Sequence, residues 1–139
     1  MRRGIIIDTG PLVALLNKRD SWHEWVKQEV AQVKPPLLTC ESVISEACFL
    51  LKNLHNGQES VIYLLNNGTI QISFRLNEEA ASIQELSRRY QSMLMSLADA
   101  CIVRMAELYP QSMVLTLDSD FTIYRKNRNQ EIPLIMPPS

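Results

Sequence analysis

The sequence is short of the residues that staple a fold or keep a chain disordered. Its three cysteines, Cys40, Cys48 and Cys101, form no CxxC pair and sit inside apolar runs. That excludes a disulfide framework and a thiolate zinc site, and reads as reduced core residues in a cytoplasmic protein. With four glycines and seven prolines, the chain is neither disordered nor collagen-like. No apolar run approaches the ~20 residues of a membrane span. After Met1-Arg2-Arg3, the run Ile5-Ile6-Ile7 is broken at once by Asp8, too soon for the apolar region of a signal peptide. Charge of one sign is also missing: 14 basic residues face 15 acidic ones, for a formal charge of −1. A nucleic-acid site, if present, must therefore be local.

What is present is enough for one domain over residues 1–139. The 139 residues are 46% hydrophobic, and a chain of this length buries roughly 70% of its unfolded surface without metal or disulfide support. Gly4 to Ile7 is an apolar run without alternation, as expected of a strand covered on both faces. Pro11 suits the first turn of a helix that ends near Asn17. A second helix is expected from Ser21 to about Val33, with Trp22, Trp25, Val26 and Val30 as its buried side. Strands are expected at Leu37 to Cys40, Thr69 to Phe74, Met113 to Leu117 and Ile132 to Met136. Further helices are expected from Ser42 to about Leu54, Glu59 to about Asn66, an Asn77 cap to about Tyr90, and Ser96 to Tyr109. Arg125, Lys126 and Arg128 read as a polar, basic connection. The alternation predicts a three-layer α/β sandwich around a parallel sheet of about five strands. Ligands in such sheets bind at the carboxyl ends of the strands, where the strand order reverses.

The carboxylates point to the same place. Of five aspartates, Asp8 ends the first strand, Asp118 ends the fourth, and Asp99 lies in the first turn of the Ser96 helix. Helical spacing puts Asp99 beside Ile102, Val103 and Ala106 on the inward side. Glu46, between Val43 and Leu50, borders an apolar helical arc. Each acid also has a local reading. Asp99 completes a Ser96-x-x-Asp99 capping box, Asp8 caps the next helix, Asp118 and Asp120 make a turn, and Glu46 reaches solvent or Lys52. Brought together, the acids would repel one another and resist ionisation, and a shared divalent cation removes that cost. All-oxygen ligands suit Mg²⁺ or Mn²⁺.

Ile5-Ile6-Ile7-Asp8-Thr9-Gly10-Pro11-Leu12 and Asp20-Ser21-Trp22-His23 resemble the opening of PIN-domain ribonucleases, which include VapC-type toxins. Ser45-Glu46-Ala47, Ser96-Leu97-Ala98-Asp99-Ala100 and Leu115-Thr116-Leu117-Asp118-Ser119-Asp120-Phe121 resemble the later motifs of that family, in order. The resemblance covers the whole chain and implies a PIN-like, Rossmann-like fold. It also implies Asp8, Glu46, Asp99 and Asp118 as an acidic quartet around Mg²⁺ or Mn²⁺, Asp120 as a fifth acid, and Thr116 as a hydroxyl beside them. Further implications are an RNA substrate, hydrolysis leaving 5′-phosphate ends, a homodimer and a small antitoxin partner. The sparse basic surface departs from what RNA binding asks for. Arg125, Lys126 and Arg128 are the candidate phosphate contacts, with Arg88 and Arg89 weaker ones. His23 reads as a packing residue, and Met93 and Met95 as core or subunit-contact residues. Two other functions compete: a PIN-like module that binds RNA or protein without cutting, and a phosphatase using Asp118-x-Asp120, a motif that normally opens its domain.

Overall fold

The computed structural model describes residues 4–138; Met1-Arg2-Arg3 and Ser139 lie outside the described residues. In chain order the elements are β1 (Ile5–Ile7), α1 (Thr9–Leu16), α2 (His23–Ala31), β2 (Leu37–Thr39), α3 (Glu41–Leu50), α4 (Gly57–Asn66), β3 (Ile70–Ile72), α5 (Ala80–Arg89), α6 (Leu97–Leu108), β4 (Met113–Leu115), β5 (Arg125–Lys126), β6 (Gln130–Glu131) and β7 (Leu134–Ile135). Short 3-10 turns occupy Gln91–Met93 and Ser119–Thr122.

The sheet is five-stranded and parallel, in the order β3-β2-β1-β4-β7. Ile5, Ile6 and Ile7 are all buried, because β1 is the central strand and helices cover both faces. Three layers result, as the alternation of elements predicts. Helix α6 is buried almost all round, through Ala98, Ala100, Cys101, Ile102, Val103, Met105 and Ala106. The chain leaves β1 toward β2 on one side and returns as β4 on the other, so the strand order reverses between β1 and β4. Their carboxyl ends are where a ligand crevice is expected. Ile7 pairs with Leu115, and the Asp8 N–H donates to the Leu115 carbonyl at 3.0 Å. Asp8 and Thr116 thus emerge side by side.

Several expected boundaries move. Helix α2 begins at His23, not Ser21, because the Asp20 carboxylate takes the Trp22 N–H in a local turn. Trp22 is part-exposed rather than buried and meets Trp25 edge-on with ring centroids 6.4 Å apart. Helix α3 stops at Leu50, four residues before the expected Leu54, as the chain tightens into turns toward α4. Helix α5 begins at Ala80. Asn77 is not its cap, and Glu79 at the cap position is instead drawn to Arg104 at 2.7 Å. Strand β4 ends at Leu115, so Asp118 stands three residues beyond it. The basic connection is an antiparallel ribbon, with Arg125 opposite Glu131 and Lys126 opposite Gln130.

Cys40 and Cys101 are buried, Cys48 is half-buried, and all three are free thiols. His23 packs against α1, where its Nδ1 meets the Ala14 carbonyl at 2.7 Å. Met93 and Met95 pack on the core.

Gly57 opens α4 against the end of α3, where an added Cβ would fall on the Leu51 carbonyl. Backbone cannot yield as a side-chain tip can. Gly57→Ala is expected to cost about 1–3 kcal/mol, read as a lower urea midpoint with an unchanged slope.

Candidate active site

Asp8 leaves β1 in extended backbone and stands at the N-cap position of α1, yet its side chain makes no capping bond. The carboxylate instead accepts the Thr116 hydroxyl on Oδ2 at 2.8 Å. Thr116 Oγ1 in turn accepts the Asp118 N–H at 3.0 Å. Asp118 Oδ1 takes the Asp120 N–H at 2.9 Å and caps the Ser119–Thr122 turn. For Asp118 the local turn reading therefore holds, while for Asp8 the helix-cap reading fails.

Asp99 combines both readings. Ser96 and Asp99 form the reciprocal capping box at the start of α6, with the Ser96 N–H donating to Asp99 Oδ2 at 3.4 Å. The same oxygen accepts the Tyr124 hydroxyl at 3.0 Å. Tyr124 is held edge-on between Tyr90 and Phe121, with centroids 5.0 and 5.2 Å away. Both bonds fall on Oδ2, and Oδ1 takes no hydrogen bond from another described residue. Glu46 is tied in from α3, where its Oε1 accepts the Thr9 hydroxyl at 2.7 Å. Lys52 lies over the Phe49 ring.

The electrostatics register the crowding. Burial pushes the Asp8 carboxyl up to about 6, the negative charges of Asp99 and Asp118 add to that, and the hydrogen bonds from Thr116 and the Thr9 backbone oppose it. Asp99 is raised too, first by burial and then by Asp118, against the pull of Tyr124 and Ser96. Burial and the facing charges of Asp99, Asp120 and Asp118 hold the Tyr124 phenol well above its usual range. Asp8, Asp99 and Asp118 therefore sense one another directly, Asp120 reaches the same pocket through Tyr124, and Glu46 joins through Thr9. Among the described residues, no three or more His, Cys, Asp or Glu side chains stand close enough to hold an ion as a formed cage. The donor set still fits a hard divalent cation: it is all carboxylate, and a cation among the acids would relieve both the burial and the repulsion that raise Asp8.

Two side chains that hold the acids escape sequence reasoning. Thr9 carries a faint signal, as the hydroxyl directly after the strand-end aspartate. Tyr124 carries none, because only the fold brings it to Asp99.

Comparison with curated proteins returned no match. Among solved structures, the crystal structure of FitAcB from Neisseria gonorrhoeae is similar in fold. It has a TM-score of 0.50 and 17% identity, with 83% of this chain and 88% of that chain covered. The sequence matches the PIN domain family over residues 5–127, a span that includes all five acids, and the chain belongs to that family.

Proposed function

We propose that residues 1–139 form a single nuclease domain that hydrolyses RNA, with Mg²⁺ or Mn²⁺ held among Asp8, Asp99, Glu46, Asp118 and Asp120. The observation that carries this reading is the chain of contacts from Asp8 through Thr116 to Asp118, set at the strand-order reversal and facing Asp99. Asp8 and Asp99 are the direct ligands, and Glu46, Asp118 and Asp120 complete the set. A divalent ion held by these acids would neutralise phosphate charge and acidify water. The chain's own residues supply the placement. Thr116 orients Asp8, Tyr124 and Ser96 fix one oxygen of Asp99, and Thr9 fixes one oxygen of Glu46. Phe121 and Tyr124 are buried behind the acids and keep that wall dry, where charge interactions are stronger than in water.

The reading extends to a cytoplasmic toxin, active as a homodimer and restrained by a small antitoxin. Among the described residues, no helix is long and apolar enough to cross a membrane. Helices α3 and α4 expose Phe49, Leu50, Ile62 and Tyr63, and a depression of about 360 Å³ lined by Ser45, Glu46, Phe49 and Leu50 opens beside one of the acids. An apolar patch of this kind supports a protein partner. Growth that is unchanged on expression without a partner would remove the toxin reading and leave the nuclease reading standing.

The deciding experiment offers a panel of structured RNAs and matched DNAs with Mg²⁺, with Mn²⁺ or with chelator. RNA cleavage to 5′-phosphate ends is expected with either ion and none with chelator. Cleavage that persists in chelator, or that favours DNA, contradicts the proposal.

A further inference from the structure

The run Arg125, Lys126, Arg128 does not act as one basic patch. Arg125 turns back to the carbonyls of Thr122, Ile123 and Tyr124 at 2.8, 3.1 and 3.1 Å. Lys126 is buried. Of the three, Arg128 alone is exposed, and it makes no hydrogen bond or ion pair among the described residues. It stands at the tip of the β5–β6 ribbon with φ at 73°, after Asn127 at 48°. Both values lie in the left-handed region, where glycine is the cheap residue and arginine is strained.

Arg128 overhangs a depression of about 360 Å³ between α5, α6 and the ribbon, whose lining also includes Arg89, Arg104, Glu85 and Glu107. The three arginines face two glutamates. Arg104 is charge-paired, bonded to Glu79 at 2.7 Å and Glu107 at 3.0 Å. Arg89 has donors to spare. Its Nη2 holds Glu85 at 2.6 Å, while its Nη1 is buried with no partner. A buried orphan donor of this kind asks for an explanation, and Arg89 lines the depression with that donor uncommitted. The Asn127 N–H, bound to Glu107 at 2.7 Å, fixes the ribbon tip over the depression. Asp99 and Arg104 lie on the same helix five residues apart, a rise of about 7.5 Å.

We propose that the depression under Arg128 is an RNA-backbone phosphate site, gripped by Arg128 and Arg89 and set apart from the acidic pocket. It rests on the nuclease reading for its ligand, and it answers the shortage of basic surface: one placed oxyanion site replaces a diffuse positive field. The acids and the depression are both anchored on α6, so a strand held at one would offer a flanking phosphate to the other without lying on the buried helix itself.

The test measures binding of a fluorescent single-stranded RNA to full-length Asp8→Asn protein in chelator, so that the RNA stays intact, with and without Arg128→Gly. The glycine relieves the left-handed backbone, so weaker binding cannot be ascribed to a damaged ribbon. Arg128→Gly is expected to weaken binding about tenfold at low salt. It should also flatten the dependence of log K on log salt by about 0.7, as for one lost contact to a single strand. In protein retaining Asp8, Arg128→Gly should slow cleavage of long RNA. Inorganic phosphate, followed by NMR, should shift the Arg128 and Asn127 amides, and an acidic peptide should not. Unchanged affinity and slope in Arg128→Gly would overturn the phosphate site, even if the protein cleaves RNA. A stronger response to the peptide would overturn it in favour of a protein-docking site. If phosphate shifts the amides and Arg128→Gly weakens RNA binding while no RNA is cleaved, the site stands and the nuclease reading falls.

Discussion

Asp8→Asn and Asp99→Asn are each expected to lower RNA cleavage by about 10³-fold or more, close to 4 kcal/mol of barrier. Asparagine keeps the shape and one acceptor oxygen, so Thr116 and Tyr124 retain a partner, and what is lost is the negative charge that holds a cation. Members of one constellation fail together, so the double variant should be little worse than either single one. Single-turnover cleavage with Mg²⁺ measures this against wild type purified in parallel. Equal cleavage by all three proteins would trace the activity to a contaminant and remove the acidic pocket as the active site.

The same Asp8→Asn substitution is expected to make the protein more stable without a divalent ion. Burial lifts the Asp8 carboxyl from 3.8 to about 6 in the fold, so the native state holds a proton that the unfolded chain has released. That contribution to stability is fully present below about pH 4 and is lost as pH rises through about 6. At neutral pH the ionised group costs the fold on the order of 2–3 kcal/mol, which the amide does not pay. In chelator at pH 7.5, Asp8→Asn should melt roughly 5–10 °C above wild type, and at pH 4 the gap should close. Adding Mg²⁺ or Mn²⁺ should raise wild type and leave the variant where it was, since only the first gains a ligand in its folded state. A variant that melts below wild type at pH 7.5 in chelator would contradict the burial argument. An equal rise in both proteins with either ion would contradict the metal argument.

These outcomes bear on how much could be read before the fold was in hand. The run Ile5-Ile6-Ile7-Asp8 announced a central strand with a carboxylate at its end, because burial on both faces removes alternation and an acid is costly there. The Ser96-x-x-Asp99 spacing was equally legible, as it is satisfied within one turn. Failures came where a distant partner decides. Asn77 has the composition of a cap, but α5 starts only after Glu79, whose side chain is held by Arg104 across 25 residues. The apolar run ending on Asp118 predicts a strand up to that residue, whereas its position is set by Thr116 taking its N–H beyond the last paired residue. Arg125, Lys126 and Arg128 look alike in sequence, and only the ribbon gives them different fates. The five acids proposed as the site are visible in the chain, whereas the hydroxyls of Thr9 and Tyr124 that bond two of them belong to contacts 37 and 25 residues long.

The near-complete burial of α6 has a last consequence. The residues between Asp99 and Arg104, which are Ala100, Cys101, Ile102 and Val103, are all enclosed, so this stretch tolerates neither insertion nor deletion. One added residue would swing everything after it by about 100° around the helix axis and drive apolar side chains into solvent. On the proposed reading, the helix is thus a gauge of fixed length between the acidic pocket and the depression under Arg128. Relatives with other targets would have to change what stands at the two ends of the gauge, since its length is not open to change.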